Sequence, residues 1–268
     1  MVTIGFIGGG NMAEALIKGI LSAKLYKPKD VFISDIKPER LQHLMKEYKV
    51  TAADNAQLAA KVDTLILSIK PQNMADALES IKASLKKDSL IISIAAGKKI
   101  ASITAVLGDR PVVRVMPNTP ALIGEGISAL FANDKAKSML EKAKSIFSSV
   151  GCVVVLYNEE LMDAVTAVSG SGPAYYFLFC EELIKTAIQL GLSENIAKEL
   201  VLQTAKGSAL LACDADKQGK SLELLRRNVT SPGGTTEAAL KVFAKDNFGN
   251  LVNAAVKRAQ ERSRELSN

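Results

Sequence analysis

Short runs of Val, Ile and Leu alternate with amphipathic stretches through the first half of the chain. Short apolar runs predict buried strands, and apolar positions that recur every three or four residues predict helices. The predicted strands are 31–34, 64–69, 90–94, 112–115, 128–131 and 152–156, preceded by a first apolar run at Ile4, Phe6 and Ile7. The predicted helices between them are 39–48, 56–61, 74–85, 100–107 and 135–150. Alternation of this kind predicts a mostly parallel sheet with right-handed helical crossovers.

From Glu159 onward, helical patterns replace the alternation. The predicted helices are 175–190, one from Ser193 towards Cys213, 222–226, 237–243 and 251–266. The helix over 175–190 is apolar nearly all round, so we expect it to be buried on several sides, either within its own domain or in a subunit contact. The pattern therefore predicts two domains, an α/β domain over 1–158 and an all-helical domain over 159–268.

Composition excludes several classes of protein. The 268 residues are 48% hydrophobic and 23% charged, which is ordinary globular composition. The net charge of +6 comes from scattered Lys and Arg without interleaved aromatics, so we expect no nucleic-acid partner. No signal peptide or membrane-spanning run is visible, because Glu181 and Glu182 stop the most apolar later stretch, and we expect a cytoplasmic protein with no membrane partner. Cys152, Cys180 and Cys213 have no metal or redox spacing, so we expect reduced, partly buried thiols and no metal site.

A glycine cluster directly follows the first strand. Gly8, Gly10 and Ala13 fit the dinucleotide fingerprint G-x-G-x-x-G/A at a junction of strand and helix. Gly8 permits the tight turn, Gly10 lets a pyrophosphate approach the backbone, and Ala13 lets helix and strand pack closely. Unpaired N–H groups at the positive end of the helix would hold the phosphates. The sequence therefore predicts a dinucleotide cofactor, with a plain glycine turn as the alternative.

Polar residues follow the next strands, at the sheet edge where folds of this kind bind ligands. After the second strand, Asp35 is either an acceptor for an adenosine ribose hydroxyl, which favours NAD, or a turn residue ahead of a helix. Its neighbours Ser34, Lys37 and Arg40 are suited to a 2′-phosphate, which favours NADP. Lys70 follows the third strand, where phosphate or nicotinamide ribose would pass.

Small or rigid segments follow later in the chain. Ala95 and Ala96 leave room for a flat ring after the fourth strand, and the proline-rich loop after the fifth can position Asn118. The run 230–236 puts hydroxyls and backbone N–H groups at a helix start, which is typical either of a carboxylate-binding nest or of an ordinary capped turn. The run 169–173 interrupts a helix and predicts a kink or a second glycine-rich element of the site.

Six blocks along the chain together resemble one enzyme family. They are GFIGGGNMAEAL, SIKPQ, SIAAG, RVMPNTPALIGEG, AVSGSGPAYYF and NVTSPGGTT. The ordered set resembles pyrroline-5-carboxylate reductase, the enzyme of the last step of proline synthesis. The resemblance implies an α/β fold class, with an N-terminal Rossmann-like domain and then an all-helical dimerisation domain. It also implies a homodimer that can assemble into a larger ring such as a decamer, with the active site between one subunit's cofactor and helices of its partner.

The resemblance also assigns site residues. Those along the cofactor are Gly8, Gly10, Asn11, Met12, Ser34, Asn55, Ile69, Lys70, Pro71, Ala95, Ala96 and Asn228. Those at the substrate carboxylate are Ser231, Gly233, Gly234, Thr235 and Thr236. Thr236 corresponds to the hydroxyl that contacts the ring nitrogen, and it is the candidate catalytic residue. Many family members have an acidic residue and then a His-Pro pair before this segment, where this chain reads DADKQGKSLE over 214–223. Counting forward from Pro173 places Asp216 at the acid's position, and counting back from Asn228 does not.

The expected chemistry follows from these residues. His43, the only histidine, lies among Lys and Glu on a predicted helix and is interpreted as a solvated surface residue. Hydride transfer to a cyclic imine needs little acid–base catalysis, so positioning would supply most of the rate. The sequence predicts direct hydride transfer from NADPH, or from NADH, to the imine carbon of 1-pyrroline-5-carboxylate, yielding L-proline. The alternatives are a hydroxyacid dehydrogenase of similar layout, with Lys185 as its candidate acid–base residue, and a non-catalytic NAD(P)-binding dimer.

Overall fold

Eight short strands form one sheet in the computed structural model, which describes residues 2–266. The strands are β1 (Ile4–Ile7), β2 (Val31–Ser34), β3 (Thr51–Ala52), β4 (Thr64–Leu67), β5 (Leu90–Ser93), β6 (Val112–Met116), β7 (Gly126–Ala132) and β8 (Gly151–Val155). Their order in the sheet is β3-β2-β1-β4-β5-β6-β7-β8. All neighbours are parallel except β6 and β7. The order changes direction between β1 and β4, and such a switch point is where these sheets bind ligands.

Helices connect the strands and then make up the rest of the chain. Those of the first half are α1 (Asn11–Ser22), α2 (Pro38–Tyr48), α3 (Asn55–Lys61), α4 (Met74–Ile81), α5 (Ile100–Leu107), α6 (Leu140–Ser148) and α7 (Met162–Val165). Those that follow are α8 (Gly172–Gln189), α9 (Glu194–Lys217), α10 (Leu222–Asn228), α11 (Thr235–Lys245) and α12 (Phe248–Glu265). A π-helical segment, Thr166–Gly170, lies between α7 and α8.

Alternate strand residues pack on opposite faces of the sheet. Ile66 belongs to the buried cluster that contains Leu16 of α1 and Phe147 of α6, whereas Leu65 belongs to the cluster with Leu78 of α4. Helices therefore cover both faces, which is why the strands are near-continuous apolar runs. The predicted mostly parallel α/β sheet is confirmed.

Among the helices between the strands, two differ from the sequence prediction by more than one residue. The helix predicted over 74–85 ends at Ile81. Leu85, which extended the predicted apolar pattern, is a buried residue of the segment that follows the helix. The helix predicted over 135–150 divides into a 3₁₀ segment, Asp134–Met139, and α6; the Asn133 side chain caps the start of that segment. The two-residue strand β3 was not predicted, since it is too short to show a periodic pattern.

The chain forms two compact units. The first contains the residues up to Pro173 together with those from Arg258, and the second contains Ala174–Lys257. The boundary predicted between 158 and 159 falls earlier in the chain than this division, and it stays a prediction.

The second unit has very little core of its own. Of its residues, only Ala197 and Ala215 belong to the buried hydrophobic set. Tyr176, Phe177 and Leu210 are 74%, 67% and 62% exposed on this chain. Apolar surface of this extent marks an interaction site. The structure thus favours a subunit contact over burial within the domain for the apolar helix predicted at 175–190.

The prediction of partly buried cysteines was wrong for two of the three residues. Cys152 and Cys213 are exposed and Cys180 is partly exposed, and all three are free thiols. Cys152 lies on β8 at the edge of the sheet, and Cys213 lies on α9 in the unit with exposed apolar side chains. Apolar neighbours in the sequence therefore did not show that these cysteines are buried within a single chain.

Candidate active site

The glycine turn between β1 and α1 has a backbone that favours glycine at its first position. Gly8 has a φ of +97°, and a Cβ there would lie 2.5 Å from the carbonyl oxygen of Ser68. Gly10 is exposed, and no atom of the described chain lies within 4 Å of the place its Cβ would take. Gly10 is the N-cap of α1, and no side chain of residues 2–266 caps that helix start. Backbone N–H groups there are open to an anion.

Three side chains orient the peptides of this turn. Ser68 Oγ donates a hydrogen bond to the Gly8 carbonyl oxygen at 2.7 Å. The Gly9 N–H donates to Asp35 Oδ2 at 2.5 Å, and Arg40 Nε donates to the Gly9 carbonyl oxygen at 2.8 Å. The side chains that hold the turn therefore come from the residue after β4, the residue after β2 and from α2.

Both carboxylate oxygens of Asp35 accept hydrogen bonds from backbone N–H groups. Besides the Gly9 N–H, it accepts the Lys37 N–H on Oδ1 at 2.8 Å, which closes a turn ahead of α2. Of the two interpretations of Asp35, the structure favours the turn residue, with support of the glycine turn as an additional role.

Glu14 of α1 is the centre of a polar network with α2. Its Oε2 is 2.6 Å from Arg40 Nη2, and its Oε1 is 2.7 Å from His43 Nε2 and accepts the Tyr48 hydroxyl at 3.1 Å. Burial raises the pKa of Glu14, but the hydrogen bonds from His43, Arg40 and Tyr48 outweigh burial and leave the pKa below its usual value. Because a lowered pKa means that the folded state prefers the carboxylate, this stabilisation is present at neutral pH and is lost as the pH falls through the lowered pKa.

The two residues predicted at the adenosine end contact one another. Ser34 Oγ donates to Asn55 Oδ1 at 2.7 Å, and Asn55 Nδ2 donates to Ser80 Oγ at 2.9 Å. The Gly8 N–H donates to the Ser34 carbonyl oxygen at 2.7 Å, which joins this pair to the glycine turn.

The residues predicted along the nicotinamide half follow neighbouring strands. Ile69, Lys70 and Pro71 come after β4, and Ala95 and Ala96 come after β5, which pairs with β4. Lys70 is exposed and Ala95 is buried. All the predicted cofactor residues of the first compact unit therefore lie at or after the carboxyl ends of five neighbouring strands, in the order β3, β2, β1, β4, β5.

Asn228 and the predicted substrate residues lie in the second compact unit. Asn228 is the last residue of α10, and α11 begins at Thr235 with Gly234 as its N-cap. Gly233 has a φ of +72°, and its N–H donates to Glu237 Oε2 at 3.0 Å. In the carboxylate-binding interpretation the Gly233 N–H would bind substrate, and here it donates to the Glu237 carboxylate instead.

The loop after β6 contacts the kink before α8. Asn118 Oδ1 accepts the Ile127 N–H at 2.9 Å, and its Nδ2 is 3.4 Å from Ser169 Oγ. Ser169 lies in the π-helical segment, and a Cβ on Gly170 would collide with the Met116 side chain. The predicted kink is therefore a π-helical segment packed closely against the proline-rich loop, a local structure that is frequent at functional sites.

Several residues that shape the site were not predicted from the sequence. Ser68 contacts a partner 60 residues away and Glu14 contacts Arg40 across 26 residues, so no local pattern shows these contacts. Glu237 stands at the position that a capping-box Glu takes, three residues after the N-cap, but it accepts from Gly233, one residue before the glycine N-cap.

The fold and the site define a two-domain oxidoreductase that uses a nicotinamide dinucleotide. A family model described as "NADP oxidoreductase coenzyme F420-dependent" matches residues 3–97, and one described as "Pyrroline-5-carboxylate reductase dimerisation" matches residues 159–266. The chain is 44% identical to pyrroline-5-carboxylate reductase of Pseudomonas aeruginosa, over 98% of this chain and 96% of that one. The chain belongs to the pyrroline-5-carboxylate reductase family.

Solved structures agree over the whole length. A pyrroline-5-carboxylate reductase from Coxiella burnetii has a TM-score of 0.91 at 37% identity and covers 100% of this chain and 99% of that one. The Plasmodium falciparum pyrroline carboxylate reductase with NADP bound has a TM-score of 0.89 at 34% identity, over 100% of this chain and 98% of that one. The predictions of family, fold class, reductase activity class and NAD(P)H cofactor are confirmed, and the roles of individual site residues stay predictions.

Residues 2–266 contain neither a membrane-spanning helix nor a metal-binding cluster. No helix in that range combines the length and the apolar character needed to cross a membrane. Among the same residues, no cluster of three or more His, Cys, Asp or Glu side chains is arranged to hold a metal ion.

The two glycines of the turn give a matched pair of variants. Gly8→Ala should destabilise the fold by roughly 1–3 kcal/mol, because alanine at a φ of +97° is strained and its methyl group would meet the Ser68 carbonyl. Gly10→Ala should leave the free energy of unfolding unchanged and weaken NADPH binding, since its methyl group would enter the open side of the turn. Denaturant unfolding and NADPH titration measure both; equal destabilisation by the two variants would contradict the prediction.

Proposed function

We propose that this chain catalyses the NAD(P)H-dependent reduction of 1-pyrroline-5-carboxylate to L-proline, the last step of proline biosynthesis. The observation that carries the proposal is the combination of a glycine turn open to an anion at the β1–β4 switch point with a second glycine-rich helix start at α11. A dinucleotide requires the first, and a small carboxylate substrate requires the second.

The first compact unit fits the cofactor. The uncapped start of α1 would hold the pyrophosphate through the backbone at Gly10, Asn11 and Met12. Ser34 and Asn55 would hold the adenosine end, and the segments at 69–71 and 95–96 would lie along the nicotinamide half. Asp35 is engaged by backbone N–H groups, so we propose NADPH as the preferred cofactor, with NADH as a weaker one.

Ser231, Gly233, Gly234 and Thr235 would bind the substrate carboxylate. Their backbone N–H groups lie at the start of α11, where the helix dipole favours a negative charge. We assign Asn228, three residues before Ser231, to the cofactor, as the family resemblance implies.

The reaction adds a hydride to the imine carbon and a proton to the ring nitrogen, which converts the C=N double bond into a secondary amine. NAD(P)H supplies the hydride when bound. The chain's own contribution is to hold the ring in one orientation, with the carboxylate on the α11 start and the Thr236 hydroxyl at the ring nitrogen. Orientation of this kind can supply much of the rate enhancement.

Lys185 argues against the hydroxyacid dehydrogenase alternative. Its Nζ is 2.8 Å from a carboxylate oxygen of Glu181 and 2.8 Å from one of Glu182. These hydrogen bonds raise the pKa of Lys185, so the residue keeps its proton at neutral pH and is a poor acid–base catalyst. Family membership likewise favours an enzyme over a non-catalytic dinucleotide-binding protein.

We further propose a cytoplasmic homodimer that can assemble into a ring such as a decamer. The exposed apolar side chains of the second unit support a subunit contact, and the dimerisation family model covers this unit. Light scattering that returns the mass of a single 28.6 kDa chain would contradict the dimer.

A direct test follows NAD(P)H absorbance with 1-pyrroline-5-carboxylate as substrate. We expect consumption of NADPH with formation of L-proline, and slower consumption of NADH. Consumption of neither cofactor would overturn the proposal, as would oxidation of hydroxyacids without any imine reduction.

Thr236→Ala tests the substrate assignment. Loss of the hydroxyl should lower kcat/KM for 1-pyrroline-5-carboxylate about tenfold, the scale of one lost hydrogen bond to a charged group, and leave the dissociation constant of NADPH unchanged. Thr236→Ser restores the hydroxyl and should recover most of the activity. Equal loss of substrate use and cofactor binding in Thr236→Ala would place the residue elsewhere.

Glu237→Gln tests the occupied amide of Gly233. An incoming substrate carboxylate must replace Glu237 Oε2 on that N–H, so a neutral side chain should lower the substrate KM by about threefold, within the range of one modest hydrogen bond. Lys241, four residues further along α11, has its Nζ 3.2 Å from the same Oε2 but leaves the carboxylate on the Gly233 N–H, so Lys241→Gln is the matched control and should not lower KM. A higher KM in Glu237→Gln would show that Glu237 assists the substrate instead.

A further inference from the structure

Arg40 of α2 holds the glycine turn through two neighbouring groups. Its Nε donates to the Gly9 carbonyl oxygen at 2.8 Å, and its Nη2 is 2.6 Å from Glu14 Oε2 in the first turn of α1. The guanidinium is the planar fork that can serve two acceptors at once. Arg40 therefore connects α2 both to the turn and to the helix that the turn begins.

The geometry of the peptide bond gives this contact a consequence. In a trans peptide the C=O and the following N–H point in opposite directions. Because the Gly9 carbonyl points towards Arg40, the Gly10 N–H points away from Arg40. Gly10 itself is exposed. The preceding peptide is fixed in the same manner at both ends, by Ser68 on the Gly8 carbonyl and by Asp35 on the Gly9 N–H.

Charge adds a second effect at the same place. Glu14 carries a carboxylate in the first turn of α1, close in sequence to the N–H groups that would receive a pyrophosphate. Arg40 and His43 both contact that carboxylate, and the Arg40 guanidinium offsets its charge. Without Arg40, Glu14 would leave an unpaired negative charge in the first turn of the helix that receives the anion, and like charges repel.

We propose that Arg40 is a positioning residue for the dinucleotide: it fixes the direction of the Gly10 N–H and neutralises Glu14, and it does not recognise the 2′-phosphate. The inference rests on the proposed cofactor site. It assigns to Arg40 a role different from the one that its position after β2 suggests, since the guanidinium is engaged by the chain itself.

The two roles predict different cofactor dependence. A positioning residue acts on the pyrophosphate, which NADPH and NADH share, so Arg40→Met should raise the dissociation constants of both cofactors by about tenfold, the scale of a lost charged hydrogen bond. The ratio of the two constants should stay within twofold of that of the unsubstituted protein. The KM for NADPH should therefore rise by more than kcat falls, whereas a general structural defect would lower kcat at saturating NADPH at least as much.

Matched variants separate the two parts of the effect. Arg40→Lys keeps the charge but lacks the fork, so its dissociation constants should be intermediate. Glu14→Gln combined with Arg40→Met removes the repulsion but not the loss of the Gly9 contact, so it should recover only part of the loss. His43→Gln removes a contact to Glu14 without touching Gly9, and it should change NADPH binding by less than twofold.

Equilibrium titrations of NADPH and NADH, without substrate, decide the outcome. Parallel loss of both cofactors in Arg40→Met supports the inference. Loss confined to NADPH would overturn it and make Arg40 a reader of the 2′-phosphate, and unchanged binding of both would overturn it as well. If the unsubstituted protein itself bound neither dinucleotide, the proposed function would fail before the role of Arg40 came into question.

Discussion

The first binding surface of this molecule depends on the orientation of two peptide groups in the glycine turn. Ser68, Asp35 and Arg40 come from three separate places in the chain, and each contacts one polar group of Gly8 or Gly9. The sheet brings these places together because β2, β1 and β4 are neighbours. The glycines allow the turn, and the side chains around them select one orientation of its peptide groups.

The second compact unit depends on a different constraint, which is the lack of an internal core. Its helices are long and regular, yet nearly all of its large apolar side chains are open on a single chain. Burial of that surface is worth roughly 25 cal/mol for each Å² removed from water, so association is the way in which this unit acquires a hydrophobic interior.

Local patterns predicted the elements well, and long-range contacts account for what they missed. Strand and helix positions follow from the alternation of apolar runs, and the glycine fingerprint follows from spacing alone. The sequence could not decide whether Asp35 is a ribose acceptor or a turn residue. Its partner Gly9 is 26 residues away, and a ribose contact would use the same carboxylate. Arg40 was suited to a phosphate by type and position, and only the folded chain shows that Gly9 and Glu14 engage it. Burial of Cys213 failed for a related reason, since one chain does not contain the surface that would cover it.

The hydrogen bond between Glu237 and the Gly233 N–H gives α11 an anion of its own. In this state the start of the helix already has a carboxylate near its positive end. If a substrate carboxylate takes this N–H, one carboxylate replaces another, and the number of hydrogen bonds at that amide does not change. The Gly233 N–H, one residue before the N-cap, is hydrogen-bonded both before and after such an exchange, so substrate release leaves no unpaired amide at this position.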